Sequence, residues 1–125
     1  MTRILNSERK EAISGPARSA VVFLHGYGAN GADLLGLADP LSEHLTDTLF
    51  IAPDAPERCA GSPFGFQWFP IPWIYGSSEE ESMRGMVAAS NDLNAFLDAL
   101  MVDEDLLPEQ VVLFGFSQGT MLALH

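Results

Sequence analysis

The sequence predicts an α/β fold, a mostly parallel sheet with flanking helices, and three observations predict it. Three short runs are apolar throughout: Ser19–Leu24 (SAVVFL), 48–52 (TLFIA) and 111–114 (VVLF). Uninterrupted apolar strands are expected where helices cover both faces of a parallel sheet, whereas half-solvated strands alternate. Longer helical patterns separate the runs, and a strand, helix, strand, helix, strand, helix order is that of right-handed crossovers. Finally, 125 residues of which 47% are hydrophobic and 18% charged suit one domain, 1–125. A chain of this size buries roughly two-thirds of its unfolded surface.

Taken in order, a weak run near Ile4 is read as an edge strand. After the first apolar strand, Leu34, Leu35, Leu37, Leu41 and Leu45 recur near helical spacing. Asn30 or Asp33 can cap that helix, and Pro40 breaks or kinks it. Segment 53–78 is too long for a routine connection and holds Phe64, Phe66, Trp68, Phe69, Trp73 and Tyr75 among several prolines. Ahead of the last strand, Met83, Met86, Val87, Leu93, Phe96, Leu97, Leu100 and Met101 draw an apolar stripe that predicts a helix over 82–102. Glu79, Glu80 and Glu81 stand at its start, where negative charge suits the helix dipole better than it suggests a metal site. The methionines of this stripe read as core packing.

Charge and cysteine content exclude several function classes. Six Lys and Arg against 17 Asp and Glu give a formal charge of -11. Such a field repels phosphate backbones and anionic lipid headgroups, so neither nucleic acid nor a membrane surface is an expected partner. Cys59 is the single cysteine, so no disulfide can form within the chain. No apolar run approaches the length of a membrane span, and residues 1–11 carry no secretory pattern. The expectation is a cytoplasmic protein.

In open α/β sheets ligands bind beyond the C-terminal ends of the strands. The third strand runs into Gly115-Phe116-Ser117-Gln118-Gly119 and then an apolar helix. GxSxG alone is a weak signal, but between a buried strand and a helix it reads as a nucleophile elbow. A Cβ at Gly115 or Gly119 is expected to crowd the strained Ser117 backbone, and Ser117 Oγ would stand exposed above the sheet.

The first strand ends in His25-Gly26-Tyr27-Gly28-Ala29-Asn30-Gly31, for which two readings compete. In one, the Tyr27 N–H faces the Gln118 N–H to form an oxyanion hole. In the other, Gly26, Gly28 and Gly31 spell GxGxxG, with Asp54 as the acid that would bind a ribose. Asp54 sits between Pro53 and Ala55-Pro56, and a dinucleotide site leaves GFSQG unexplained. The oxyanion reading is therefore favoured, with Asp54 a turn former.

Together, VVFLHGYGANGADLLGLA, LFIAPDAPE, the QWF segment and VVLFGFSQGTMLAL resemble the phospholipase/carboxylesterase family of α/β hydrolases, which includes acyl-protein thioesterases. The likeness covers about 19–125. It implies an α/β-hydrolase fold and cleavage of carboxylic esters, lysophospholipids or thioesters without a cofactor or metal. It also implies Ser117 as nucleophile and Tyr27 and Gln118 as oxyanion donors, with Gly26, Gly28, Gly115 and Gly119 shaping the two turns. The family usually has Leu where Tyr27 stands, which matters little if only the backbone acts. Trp68 and Phe69 are candidates for an acyl pocket, the rival reading being a proline-stiffened loop that buries its rings as a satellite core.

In the family the catalytic Asp and His follow the nucleophile in a chain about twice as long, so the sequence reads as an N-terminal portion. No histidine present substitutes as base. His125 would lie about 12 Å along the post-elbow helix, His44 falls late in the Leu-rich helix, and His25 is expected to be a structural hydrogen-bonder. A triad without its histidine loses on the order of a millionfold in kcat, so the 125 residues alone are expected to be nearly inert. The alternative is a non-catalytic binding or pairing module, because a third strand without later neighbours leaves a sheet edge that invites association into a dimer.

Overall fold

The computed structural model describes residues 2–59, 65–71 and 78–124. Strands β1 (Ser7–Lys10), β2 (Ser19–Leu24), β3 (Thr48–Pro53) and β6 (Val111–Gly115) form one sheet in the order β1-β3-β2-β6. β2 is central and parallel to both β3 and β6, while β1 runs antiparallel to β3 at one edge. The side chains of β2 and β3 alternate between two apolar layers. Val22, Leu24, Leu49 and Ile51 pack with Trp68, Ala89, Leu93 and Leu100 on one face. Phe23, Phe50 and Ala52 pack with Ala38, Leu34 and Leu35 on the other.

The apolar runs become strands within one residue of the expected bounds. Coverage differs at β6, where Val112 is 56% and Phe114 44% exposed. Alternate residues Val111 and Leu113 pack on the Trp68 layer, but among the described residues β6 is the last strand of the sheet and no helix lies over its second face. The N-terminal strand is Ser7–Lys10, and Ile4 itself is exposed. Its polar sequence, SERK, carries no period-two signal, because an edge strand needs only backbone pairing.

The Leu-rich segment forms two short helices, α1 (Gly31–Leu35) and α2 (Ala38–Ser42). Asn30 caps α1: its side chain accepts the Asp33 N–H at 3.0 Å, while the Asp33 carboxylate accepts the Asn30 N–H at 3.2 Å. The break falls at Gly36 and Leu37, before Pro40. Pro40 sits in the first turn of α2, where a missing N–H costs nothing. Within 53–78, β4 (Glu57–Arg58) and β5 (Phe66–Gln67) pair antiparallel, too short a hairpin for periodicity to signal.

Helix α3 (Glu79–Glu104) starts earlier than the apolar stripe because Ser78 caps it, its hydroxyl accepting the Glu81 N–H. It ends at Asp105, which adopts a left-handed conformation at φ 55°. Arg3 ties the N-terminus to this helix, its N–H and Nε both donating to the buried Asp92 carboxylate at 2.7 and 2.8 Å. Helix α4 (Gln118–Ala123) follows β6 directly. No described helix is long and apolar enough to cross a membrane.

Candidate active site

The turn from β6 into α4 passes through Ser117 at φ 53° and ψ -115°, a conformation rarely adopted by a residue bearing a Cβ. Close packing holds it there. A Cβ on Gly119 would lie 2.0 Å from the Leu24 carbonyl oxygen, and one on Gly115 would lie 2.6 Å from Thr120 Cα. Both glycines are therefore required where β6 and α4 meet each other and β2, rather than by contact with the Ser117 backbone. Ser117 is exposed, and its hydroxyl neither caps its own helix nor hydrogen-bonds any described residue.

The loop after β2 runs beside this turn. Gly26 brings it within contact of Phe116 and Ser117, for a Cβ at Gly26 would stand 3.3 Å from both the Phe116 carbonyl and Ser117 Cβ. Gly28 has φ 82°, and its N–H donates to the Phe66 carbonyl, tying the loop to β5. Gln118 is the first residue of α4, so its N–H has no acceptor within the helix. Tyr27, Ser117 and Gln118 all line one cavity of about 420 Å³.

His25 is fully buried beneath this loop. Its Nδ1 lies 2.7 Å from the Gly26 carbonyl, and its Nε2 accepts the Ala55 N–H at 2.9 Å. Those partners require a neutral ring protonated on Nδ1. Burial lowers its pKa from the ordinary imidazole value, outweighing the Gly26 carbonyl and the Asp54 and Asp33 charges that raise it. With both nitrogens engaged, His25 is a structural group. Asp54 is equally committed: its carboxylate accepts the Gly31 N–H at 2.8 Å, occupying the start of α1 where the dinucleotide reading would seat a phosphate. Burial pushes the Cys59 thiol up, against hydrogen bonds from the Gly28 backbone and the Tyr27 side chain, so it is no ready nucleophile.

The matching family model, described as Phospholipase/Carboxylesterase, spans residues 6–125. The chain belongs to the phospholipase/carboxylesterase family. Among curated relatives, acyl-protein thioesterase 1 of Saccharomyces cerevisiae is 34% identical over 130 residues, covering 96% of this chain and 56% of the yeast protein. The crystal structure of esterase PE8 superposes with a TM-score of 0.89 at 41% identity, covering 98% of this chain and 56% of that one. Acyl-protein thioesterase 2 of Zea mays gives 0.67 at 25% identity, with 95% and 49% covered. The chain thus spans about half the length of the relatives it matches, and its fold is that of the α/β hydrolases.

Within this family member the two aromatic candidates part company. Phe69 lines the Ser117 cavity, but Trp68 is not among its lining residues. Trp68 is fully buried, donating from Nε1 to the His25 carbonyl and from its backbone N–H to Gln118 Oε1, each at 2.9 Å. It is a packing anchor within the main core, in the layer of Val22, Leu24 and Ile51, and not in a separate satellite cluster. Gln118 Nε2 donates in turn to the Phe69 carbonyl at 2.8 Å, so one buried amide clamps the loop to the elbow. No sequence pattern marks this use of the side chain, because both partners are backbone groups distant in the chain.

Met86 and Met101 pack against the core as expected, but Met83 does not: it is 61% exposed and lines the cavity together with Met86 and Met121. The apolar stripe reaches beyond the core because the first turns of α3 lie over the cavity instead of the sheet. Close approach is allowed by Gly85, where a Cβ would lie 2.9 Å from Pro70 Cδ and 3.0 Å from Phe69 Cβ. The signal was present as Glu79, Ser82, Met83 and Met86, spaced to share one helix face. Trp73, Tyr75 and Phe64 lie outside the described residues, as does His125.

Proposed function

We propose that this chain carries the nucleophile and oxyanion-binding part of a serine hydrolase for carboxylic esters or thioesters. The observation that carries the reading is the strained, exposed Ser117 between β6 and α4, opening on an apolar cavity. Ser117 Oγ attacks the acyl carbonyl, and the tetrahedral oxyanion is held by the N–H groups of Tyr27 and Gln118. Phe69 and the α3 methionines take the acyl chain, collapse of the intermediate expels the alcohol or thiol, and water then hydrolyses the acyl-enzyme to the carboxylic acid and free Ser117. Neither His25 nor any described imidazole is placed as the base, so the proposal takes base and acid from outside the described residues. No cofactor enters the chemistry.

The likeness to esterases and thioesterases at 34 to 41% identity supports this reading over a pairing module without catalysis. The test compares hydrolysis of p-nitrophenyl esters and S-acyl thioesters by the protein as made in its source cells with that by Ser117→Ala. A fall of about a millionfold in kcat is expected. Undiminished hydrolysis by the variant would overturn the assignment.

A further inference from the structure

We propose that Glu79 sets the charge selectivity of the Ser117 cavity, which admits neutral and cationic ligands and rejects anionic ones. The inference deepens the hydrolase reading and rests on it for the place of the reacting group. Helix α3 presents Glu79, Ser82, Met83 and Met86 to the cavity from one face, at spacings of three and four residues. Facing groups such as Phe69 and Met121 are apolar, and no described lining residue is a cation. None of the ion pairs among described residues engages the Glu79 carboxylate.

An anion entering the cavity meets this carboxylate with no facing counter-charge among the described residues. Glu79 is itself solvent-exposed, so water and salt screen part of the interaction and the repulsion acts at close range. The N–H groups at the start of α3 offset part of the charge, but Glu80 and Glu81 follow directly and add to it. A neutral acyl chain is indifferent to the field and gains contact with the thioethers and the Phe69 ring. The carboxylate product of hydrolysis would be repelled where its neutral precursor is accepted, so the same residue that selects substrates speeds product departure.

The test reads binding rather than turnover. Octanol, octanoate and octyltrimethylammonium are titrated calorimetrically into the protein, Glu79→Gln and Glu80→Gln. Glu79→Gln is expected to tighten octanoate by about three- to fivefold and weaken octyltrimethylammonium, with octanol changed by less than about twofold. Glu80→Gln removes the same charge from a residue outside the cavity lining and should move each affinity by less than about twofold. An unchanged octanoate to octanol ratio in Glu79→Gln overturns the proposal. So does an equal change in Glu80→Gln, or failure of all three ligands to bind. No hydrolytic step enters this readout, so its failure is distinct from retained activity in Ser117→Ala.

Discussion

Ser117, Gln118 and His25 differ in how much of their roles the sequence reveals. The strained turn at Ser117 was legible because GxSxG between an apolar strand and a helix marks a tight strand-to-helix turn. The Gln118 side chain was not, because it holds the Trp68 and Phe69 backbone through a contact visible only in three dimensions. Gln118→Leu leaves a buried N–H and a buried carbonyl unpaired while keeping its own backbone N–H, at a cost of about 1 to 3 kcal/mol for each orphaned group. Urea denaturation should show the midpoint falling with an unchanged m-value. His25 predicts a pH dependence. Its folded pKa is lowered, so the unfolded chain binds the proton more readily. Its stabilising contribution is complete above the ordinary imidazole pKa of about 6.5 and is lost as pH falls below it. By proton NMR, the ring should remain neutral at a pH where a free imidazole has become charged. Protonation at the ordinary pKa would contradict the two hydrogen bonds that fix it.

Among the elements, legibility follows how much of each is specified by its own side chains. β2 and β3 are buried on both faces, so their apolar runs announce them. β1 and the β4–β5 hairpin are held by backbone pairing, and nothing in SERK or in two-residue strands declares it. The Leu-rich helix was seen, but its break was placed at Pro40, although proline is tolerated in a first turn and the chain reorients at Gly36. The junction of β6 and α4 was visible in its glycines, while the atoms they avoid were not. Gly119→Ala puts a methyl group against the Leu24 and His25 carbonyls, backbone that cannot turn aside. The expected loss is more than about 3 kcal/mol, beyond the range of ordinary substitutions. Gly36→Ala offers the comparison, because the nearest atom to its new Cβ is 3.8 Å away. Equal stability of the two variants in thermal unfolding would show that the tight contact at Gly119 does not constrain the turn.

At the scale of the sheet, among the described residues β6 combines an unpaired hydrogen-bonding edge with an uncovered apolar face. The sheet order ends at β6 among the described residues, and Val112 and Phe114 are exposed beside Phe116 at 61%. An edge of this kind is a template for a second chain. The formal charge of -11 opposes such pairing through repulsion between copies, and salt screens that repulsion over about 8 Å at 0.15 M. The two forces differ in range: the apolar contact acts only at β6 and is indifferent to dilute salt, whereas the repulsion is long-range and weakened by it. Self-association of the 125-residue chain should therefore rise with both protein concentration and salt. Val112→Lys, on the exposed face of β6, should suppress it while leaving circular dichroism unchanged. Sedimentation equilibrium distinguishes the cases. A weight-average mass that stays at the monomer value across salt concentrations would mean that charge outweighs the open edge, while association unaffected by Val112→Lys would place the contact on another surface.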